Sequence, residues 1–132
     1  MIESGKLAGR LVLVVDDDVR NVYALTALLE CHGMRVLPAV NGEEALDYVE
    51  RWAGQIDVIL LDIMMPDIDG YETIRRLRGR PDLERPPIIA LTAKAMKGDR
   101  ERCLEAGATD YIAKPIDSDR LLRMLGAWLN GS

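Results

Sequence analysis

The sequence LVLVVDDD at residues 11–18 combines a continuous apolar run with three consecutive carboxylates. Five apolar residues in a row are typical of a strand that is buried on both faces, as in the interior of a parallel sheet. Acids directly after such a strand indicate a site at its carboxyl end, because an unpaired buried carboxylate is unfavourable. The stretch therefore favours a sheet whose chemistry lies along one edge.

Segments of strand and helix character alternate along the rest of the chain. Apolar runs predict four further strands, at residues 35–40, 58–61, 88–91 and 110–113. Apolar residues at helical spacing predict five helices, at residues 20–32, 41–52, 71–78 and 97–106 and from Asp117 or Ser118 onward. Five strands that alternate with five helices predict an α/β fold with a parallel sheet and right-handed crossovers.

Two of these helices carry more specific expectations. Helix 97–106 has little apolar support, so we expect it to be loosely anchored; the candidates are Met96, Cys103, Leu104 and Ala106. The last helix is expected to bury a stripe of large apolar residues that includes Trp128.

Length and composition limit the class of protein. The 132 residues predict a single domain, expected over residues 10–130 after a flexible lead-in or linker at residues 1–9. Acidic residues outnumber basic ones by 22 to 17, and the resulting charge of −5 disfavours direct contact with nucleic acid. The apolar runs are too short to span a bilayer, so we expect no direct membrane contact. Two cysteines indicate reduced thiols in the cytoplasm.

Reactive side chains follow four of the five predicted strands. Asp16 and Asp17 follow the first, Asp62 the third, Thr92 the fourth and Lys114 the fifth. Parallel strands bring their carboxyl ends to one edge, where ligands bind in open α/β sheets. Clustered carboxylates repel each other unless a cation joins them, and few protein oxygens suit Mg²⁺ better than Ca²⁺. A metal ion, an ammonium group and a hydroxyl around one carboxylate suit phosphoryl transfer, with the carboxylate as nucleophile.

Four motifs together resemble the receiver domain of two-component response regulators. They are VVDDD at residues 14–18, LLDIMMPDIDG at 60–70, ALTA at 90–93 and YIAKP at 111–115. The resemblance covers nearly the whole chain and is greatest to receivers of hybrid sensor histidine kinases. It implies a flavodoxin-like, doubly wound five-stranded sheet in the order 2-1-3-4-5, with helices on both faces.

The resemblance assigns a role to each residue of the acidic cluster. Asp62 is the implied phosphoacceptor. Asp17 would bind Mg²⁺ directly, Asp16 would act mainly through metal-bound water, and the backbone carbonyl of Met64 would be a further ligand.

The resemblance also assigns the residues that respond to phosphorylation. Thr92 would donate a hydrogen bond to a phosphoryl oxygen, and Lys114 would pair first with Asp62 and then with the phosphoryl group. Tyr111 matches an aromatic switch position whose rotamer follows the threonine. Pro115 is expected to follow a cis peptide bond.

As a receiver, the chain would be a non-enzymatic switch in a phosphorelay. Its phosphoryl donor would be a histidine kinase or a histidine phosphotransfer protein, and phosphorylation would change the face formed by helix 4, strand 5 and helix 5. It would be either a single-domain regulator or a module of a hybrid kinase, which could be tethered to a membrane-bound sensor. A phosphorylation-dependent homodimer is compatible with this interpretation.

Two other functions use the same residues. A phosphatase of the haloacid dehalogenase type would take Asp16 as its nucleophile, with Asp18, Thr92 and Lys114 beside it. Three features disfavour this phosphatase: an arginine at position 20, the missing cap domain, and Asp62, for which the phosphatase has no role. The second alternative is a receiver that acts by interaction alone. Asp18 also has a purely structural interpretation as a helix N-cap.

The residues two positions after Asp62 and Thr92 predict slow self-dephosphorylation. Both positions, Met64 and Lys94, flank the path of a water that attacks the phosphoryl group, and neither offers an amide or a carboxylate to orient it. The lifetime of the phosphorylated form of the pure protein measures this directly. A half-life of only seconds would contradict the prediction.

Overall fold

The computed structural model describes residues 7–52, 54–64, 70–79, 86–92 and 97–130. Strands and helices alternate in these residues, as predicted, and their bounds agree with the sequence pattern to within a residue or two. In chain order they are β1 (Leu11–Val15), α1 (Val19–Cys31), β2 (Arg35–Ala39), α2 (Gly42–Arg51), β3 (Val58–Asp62), α3 (Gly70–Arg78), β4 (Ile88–Thr92), α4 (Lys97–Ala106), β5 (Asp110–Ala113) and α5 (Ser118–Asn130).

The five strands form one parallel sheet in the order β2-β1-β3-β4-β5. This confirms the predicted order and the doubly wound, flavodoxin-like class. Every residue of β1, β3 and β4 is buried, because helices cover both faces of the sheet. The order reverses between β1 and β3, so the residues after β1 and at the end of β3 meet where such sheets bind ligands.

Side chains from the two faces of the sheet form two separate apolar layers. One layer holds Leu13, Leu61 and Ala90 with the buried residues of α2, α3 and α4. The other holds Val14, Leu60 and Leu91 with those of α1 and α5. Successive residues of each strand alternate between the layers, because side chains of a strand point to opposite faces in turn. In the described residues, no helix is both long enough and apolar enough to cross a bilayer.

Side-chain caps fix where the helices begin. The Asp18 carboxylate accepts a hydrogen bond from the Arg20 backbone N–H at 3.0 Å, so Asp18 is the N-cap of α1. Asn41 caps α2 by accepting from the Glu44 N–H at 2.8 Å. The Asp117 carboxylate accepts from the Asp119 N–H at 3.0 Å at the start of α5. Asp18 was expected as an N-cap from the sequence, and all three residues are of types favoured at that position.

Helix α4 is attached to the sheet by small side chains. Cys103 is fully buried and Ala106 nearly so, whereas Leu104 is 43% exposed. Leu104 was therefore wrongly expected to anchor the helix, and Met96 lies outside the described residues. Trp128 was also wrongly expected to lie inside: it is 40% exposed on α5, where its indole N–H donates to Asp110 at 3.0 Å.

The turn at residues 7–9 is attached to the folded domain. Leu7 is only 1% exposed and belongs to the apolar layer under α1 and α5. The Gly9 N–H donates to the Gly33 carbonyl at 2.8 Å, and the Arg35 guanidinium donates back to the Gly9 carbonyl at 3.3 Å. Leu7, expected within a flexible lead-in, thus contributes to the core, and Gly9 is tied to the domain by backbone hydrogen bonds.

Arg78, at the end of α3, connects the two loops that precede β4 and β5. Its guanidinium donates to the carbonyls of Gly107 and Pro86 at 2.8 and 2.9 Å, and to the Thr109 hydroxyl at 3.0 Å. That hydroxyl also accepts from the N–H of Ile88, the first residue of β4. One side chain therefore fixes the starts of two neighbouring strands.

Replacing Arg78 by methionine should lower the free energy of unfolding by about 2–4 kcal/mol, because partly buried carbonyls lose a charged donor. Urea unfolding at neutral pH measures the change. The matched control is Arg75→Met on the same helix, where the arginine is 59% exposed and lies 3.8 Å from Glu72. The control should change stability by less than about 0.5 kcal/mol. Equal losses in the two variants would contradict the assigned role of Arg78.

Candidate functional site

Three carboxylates meet at the carboxyl edge of the sheet. Asp16 and Asp17 follow β1, and Asp62 ends the neighbouring strand β3. One oxygen atom from each of the three lies within 4.8 Å of the others. The structure therefore brings together residues that are 45 positions apart in the chain, as the strand-end pattern predicted.

Asp16 is fully buried, and each of its oxygens accepts hydrogen bonds. One accepts from the Asp18 N–H at 2.9 Å. The other accepts from the Asn21 amide and from the Lys114 ammonium, both at 3.3 Å. These donors fix the orientation of the carboxylate, because each approaches from a different element. Asp17, by contrast, is exposed and can approach a ligand from the solvent side.

Asp62 is 4% exposed and is held on both of its oxygens. The Met64 backbone N–H donates to one at 3.0 Å, and the Lys114 ammonium donates to the other at 3.1 Å. The turn that carries the Met64 N–H passes very close to the start of α3. A Cβ atom on Gly70 would lie 2.4 Å from the Ile63 Cα atom, so only glycine fits there.

Lys114 bridges the acidic residues from the far side of the site. Its ammonium lies 3.1 Å from Asp62 and 3.3 Å from Asp16, and its side chain is 27% exposed. The residue follows β5 and precedes Pro115 across a cis peptide bond, which confirms the expectation from the motif. One ammonium thus joins the ends of three strands.

Burial and charge shift the pKa values of the bridged pair. Burial raises the pKa of Asp62, and the Asp16 carboxylate raises it further, against the lowering effects of the Met64 N–H and Lys114. Burial by itself would lower the pKa of Lys114. The charges and hydrogen bonds of Asp62 and Asp16 outweigh that effect and raise the pKa of the ammonium. Lys114 is therefore a permanent cation, whereas ionised Asp62 is disfavoured.

The charges of the site fit a divalent cation. With all groups ionised, three carboxylates and one ammonium leave two negative charges uncompensated. Burial, and after it the Asp16 carboxylate, raise the pKa of Asp62 in this cluster. Hard oxygen ligands in this small number match Mg²⁺, which keeps several waters and needs only one or two carboxylates. The carboxylate set is therefore suited to Mg²⁺.

Thr92 and Tyr111 lie beside the acidic cluster on neighbouring strands. The Thr92 side chain is 4% exposed, and its hydroxyl oxygen has no hydrogen-bond partner among the described residues. A buried hydroxyl without a partner is unfavourable, which marks a place for a polar ligand atom. Tyr111 pairs with Ala90 in register, so Thr92 and Tyr111 point to the same face of the sheet. The tyrosine ring is partly buried there, against the layer that carries α4.

The sequence analysis did not identify one residue that contributes to the site, and two other residues that it singled out are not part of the observed cluster. Asn21, five residues after Asp16, is the missed one; the only signal was an amide in the first turn of the helix after β1. Asp18 stands apart, because its carboxylate is engaged by Arg20 at 3.2 Å as part of the N-cap. The other singled-out residue of this region, Lys94, lies outside the described residues.

The chain belongs to the response regulator receiver family. The family model described as response regulator receiver domain matches residues 12–126, which is most of the chain. PilH of Pseudomonas aeruginosa is 37% identical over 120 residues, covering 91% of this chain and 98% of that protein. The histidine-protein kinase BarA of Escherichia coli is 38% identical over 130 residues, but the chain spans only 14% of that protein.

A solved structure supports the same class. The receiver domain of the sensor histidine kinase PA1611 from Pseudomonas aeruginosa, with a magnesium ion coordinated in its active-site cleft, superposes with a TM-score of 0.84. It is 42% identical and covers 95% of this chain and 100% of that one. These matches do not support the haloacid dehalogenase alternative. Its second acid, Asp18, is instead the helix cap.

Replacing Asp62 by asparagine should raise the free energy of unfolding of the metal-free protein at pH 7. The pKa of this carboxyl is raised on folding, so its contribution to stability is lost as the pH rises through the folded pKa. Ionised Asp62 therefore opposes folding at neutral pH. The gain measured by urea unfolding should shrink as the pH falls towards about 4, because the carboxyl then becomes protonated.

The matched control is Asp47→Asn on the exposed surface of α2, where the carboxylate lies 3.6 Å from Arg51. It should leave the free energy of unfolding nearly unchanged at both pH values. Saturating Mg²⁺ should stabilise the parent protein more than the Asp62→Asn variant, because binding to the folded state alone adds to its stability. A destabilised Asp62→Asn variant at pH 7 would contradict the electrostatic account.

Proposed function

We propose that the protein is the phosphoacceptor switch of a two-component phosphorelay, with Asp62 as the residue that takes the phosphoryl group. The observation that carries the proposal is the Asp62 carboxylate at a strand end, held by Lys114 at 3.1 Å and beside two further aspartates. A structural role does not account for this group, because its burial opposes ionisation.

Asp16, Asp17 and Asp62, with the backbone carbonyl of Met64, would hold a Mg²⁺ ion. Asp17 is exposed and free to bind it directly, whereas buried Asp16 already accepts three hydrogen bonds and acts through metal-bound water. The ion would supply positive charge to the phosphoryl oxygens and neutralise the cluster. The receiver of PA1611, whose cleft contains magnesium, supports this assignment by its 42% identity.

In the transfer step, a carboxylate oxygen of Asp62 attacks the phosphorus of a phosphohistidine. The new P–O bond forms as the P–N bond breaks, and the imidazole leaves with the bonding electron pair. Lys114 then shifts its hydrogen bond from the carboxylate to a phosphoryl oxygen. The Thr92 hydroxyl, buried and without a partner among the described residues, donates to a second phosphoryl oxygen.

The switch follows from this last hydrogen bond. Drawing Thr92 towards the phosphoryl group vacates space on the face of the sheet that it shares with Tyr111. The Tyr111 ring turns into that space, and the surface formed by α4, β5 and α5 rearranges. Helix α4 suits an element that moves, because its buried side chains among the described residues, Cys103 and Ala106, are small. The rearranged surface would support a phosphorylation-dependent homodimer.

A groove beside Lys114 suits the phosphohistidine donor. It has a volume of about 290 Å³ and runs between α1 and the segment after β5, lined by Asn21, Ala24, Leu25, Leu28, Lys114, Pro115, Ile116 and Ser118. Tyr23, 79% exposed on α1, adds an exposed aromatic ring to the same helix. A helix of a histidine kinase or of a histidine phosphotransfer protein would pack here, with its phosphohistidine directed at Asp62.

The kinase relatives favour a place in a larger protein. BarA and PA1611 are histidine kinases, and the chain matches a short part of the first and the receiver of the second. We therefore propose a cytoplasmic receiver module, or a single-domain regulator of the size of PilH, that turns over no substrate of its own. The domain would run from Leu7 rather than from residue 10, because Leu7 is 1% exposed.

Incubation with acetyl phosphate and Mg²⁺ tests the proposal. Phos-tag electrophoresis should show one shifted band for the parent protein and for Asp47→Asn, and none for Asp62→Asn or in the presence of EDTA. The physical reason is that Asp62 combines a nucleophilic carboxylate oxygen with the metal site and Lys114, whereas asparagine has no such oxygen. A phosphorylated histidine phosphotransfer protein as donor should give the same pattern.

Each remaining alternative predicts a different result. The phosphatase would hydrolyse phosphate esters in the Asp62→Asn variant and lose turnover in Asp16→Asn. A receiver that acts by interaction alone would neither take up phosphate nor bind beryllofluoride with Mg²⁺. Either result would overturn the proposed function.

A further inference from the structure

We infer that Arg100 on α4 is a positioning residue that holds the Tyr111 ring in the orientation it has in the structure, partly buried beside α4, and so sets the resting balance of the switch. The inference rests on the proposed function, in which Tyr111 turns towards Thr92 when Asp62 is phosphorylated. The observation behind it is a cation–π contact: the Arg100 Cζ atom lies 5.6 Å from the centre of the Tyr111 ring.

The geometry makes this contact specific to one orientation of the ring. Cation–π attraction requires the cation to lie within about 6 Å of the ring centre. At 5.6 Å the contact is near that limit, so a ring that turns inwards leaves the reach of the guanidinium. Because the contact exists in only one of the two states, it shifts the equilibrium towards that state by its own free energy.

The surroundings of Arg100 allow this contact to influence the position of α4. The arginine is exposed on α4, and the helix is fixed to the sheet by the small side chains of Cys103 and Ala106. Because the described part of α4 has little apolar packing, a contact between one of its side chains and β5 contributes substantially to holding the helix in place. Arg100 therefore couples the position of α4 to the rotamer of Tyr111.

The same helix carries a matched control. The Arg102 Cζ atom lies 4.3 Å from the centre of the Tyr71 ring, which is a closer contact of the same kind. Tyr71 is 7% exposed at the start of α3 and belongs to the apolar layer, not to the strand that carries the switch. Removing Arg102 should loosen α4 in the same way but should leave Tyr111 unaffected.

The test measures beryllofluoride affinity in saturating Mg²⁺. Arg100→Met should bind about two- to fivefold more tightly than the parent, since an exposed cation–π contact shifts an equilibrium by that factor. Arg100→Lys, which keeps the charge, should restore part of the parent affinity. Arg102→Met should bind with the parent affinity, although its urea unfolding midpoint falls.

A spectroscopic signal separates this role from a loss of stability. The Trp128 indole N–H donates to Asp110, the neighbour of Tyr111, and Trp52→Phe leaves Trp128 as the single tryptophan. Without ligand, the indole resonance of Arg100→Met should move part of the way towards its beryllofluoride-bound position. The resonance of Arg102→Met should stay at the parent position.

The outcomes distinguish this inference from the proposed function. If the parent binds beryllofluoride and Arg100→Met binds equally or more weakly, the inference is wrong and the phosphoacceptor function stands. An equal gain in Arg102→Met also overturns it, since loosening of α4 would then be the cause. If the parent itself does not bind beryllofluoride, the proposed function fails, and the inference fails with it.

Discussion

The ion pair between Lys114 and two buried carboxylates is the interaction on which the site depends. One ammonium lies 3.1 Å from Asp62 and 3.3 Å from Asp16, so it ties the ends of β1, β3 and β5 together. Removing the ammonium would leave two buried carboxylates without a compensating charge, which is strongly destabilising.

The Lys114 ammonium does not neutralise all of the negative charge of the site. A single ammonium balances one of the three clustered carboxylates, and the pKa of Asp62 is raised by burial and by the neighbouring Asp16 charge. A site that carries excess negative charge in the resting protein favours folding less than a neutral one would. A divalent cation that binds the folded protein relieves this repulsion. The clustered carboxylates therefore lower the stability of the metal-free protein and raise its affinity for the cation.

Strands β4 and β5 are held at their amino ends by one side chain, because Arg78 donates three hydrogen bonds to the residues that precede them. Among the described residues, α4 is anchored by the small side chains of Cys103 and Ala106. On the same helix, the Arg100 Cζ atom lies 5.6 Å from the centre of the Tyr111 ring.

The sequence by itself determined the alternation of strands and helices, the helix caps and the reactive strand ends, because these depend on local periodicity and on neighbouring residues. It could not place Leu104 and Trp128, which share the helical spacing of buried residues but face solvent or a polar partner. Leu7 was assigned to a lead-in for the same reason, since its burial depends on residues far along the chain. Only the tertiary structure decided that Asn21 supports Asp16 and that Arg100 lies over Tyr111, because such contacts depend on how separate elements pack in space.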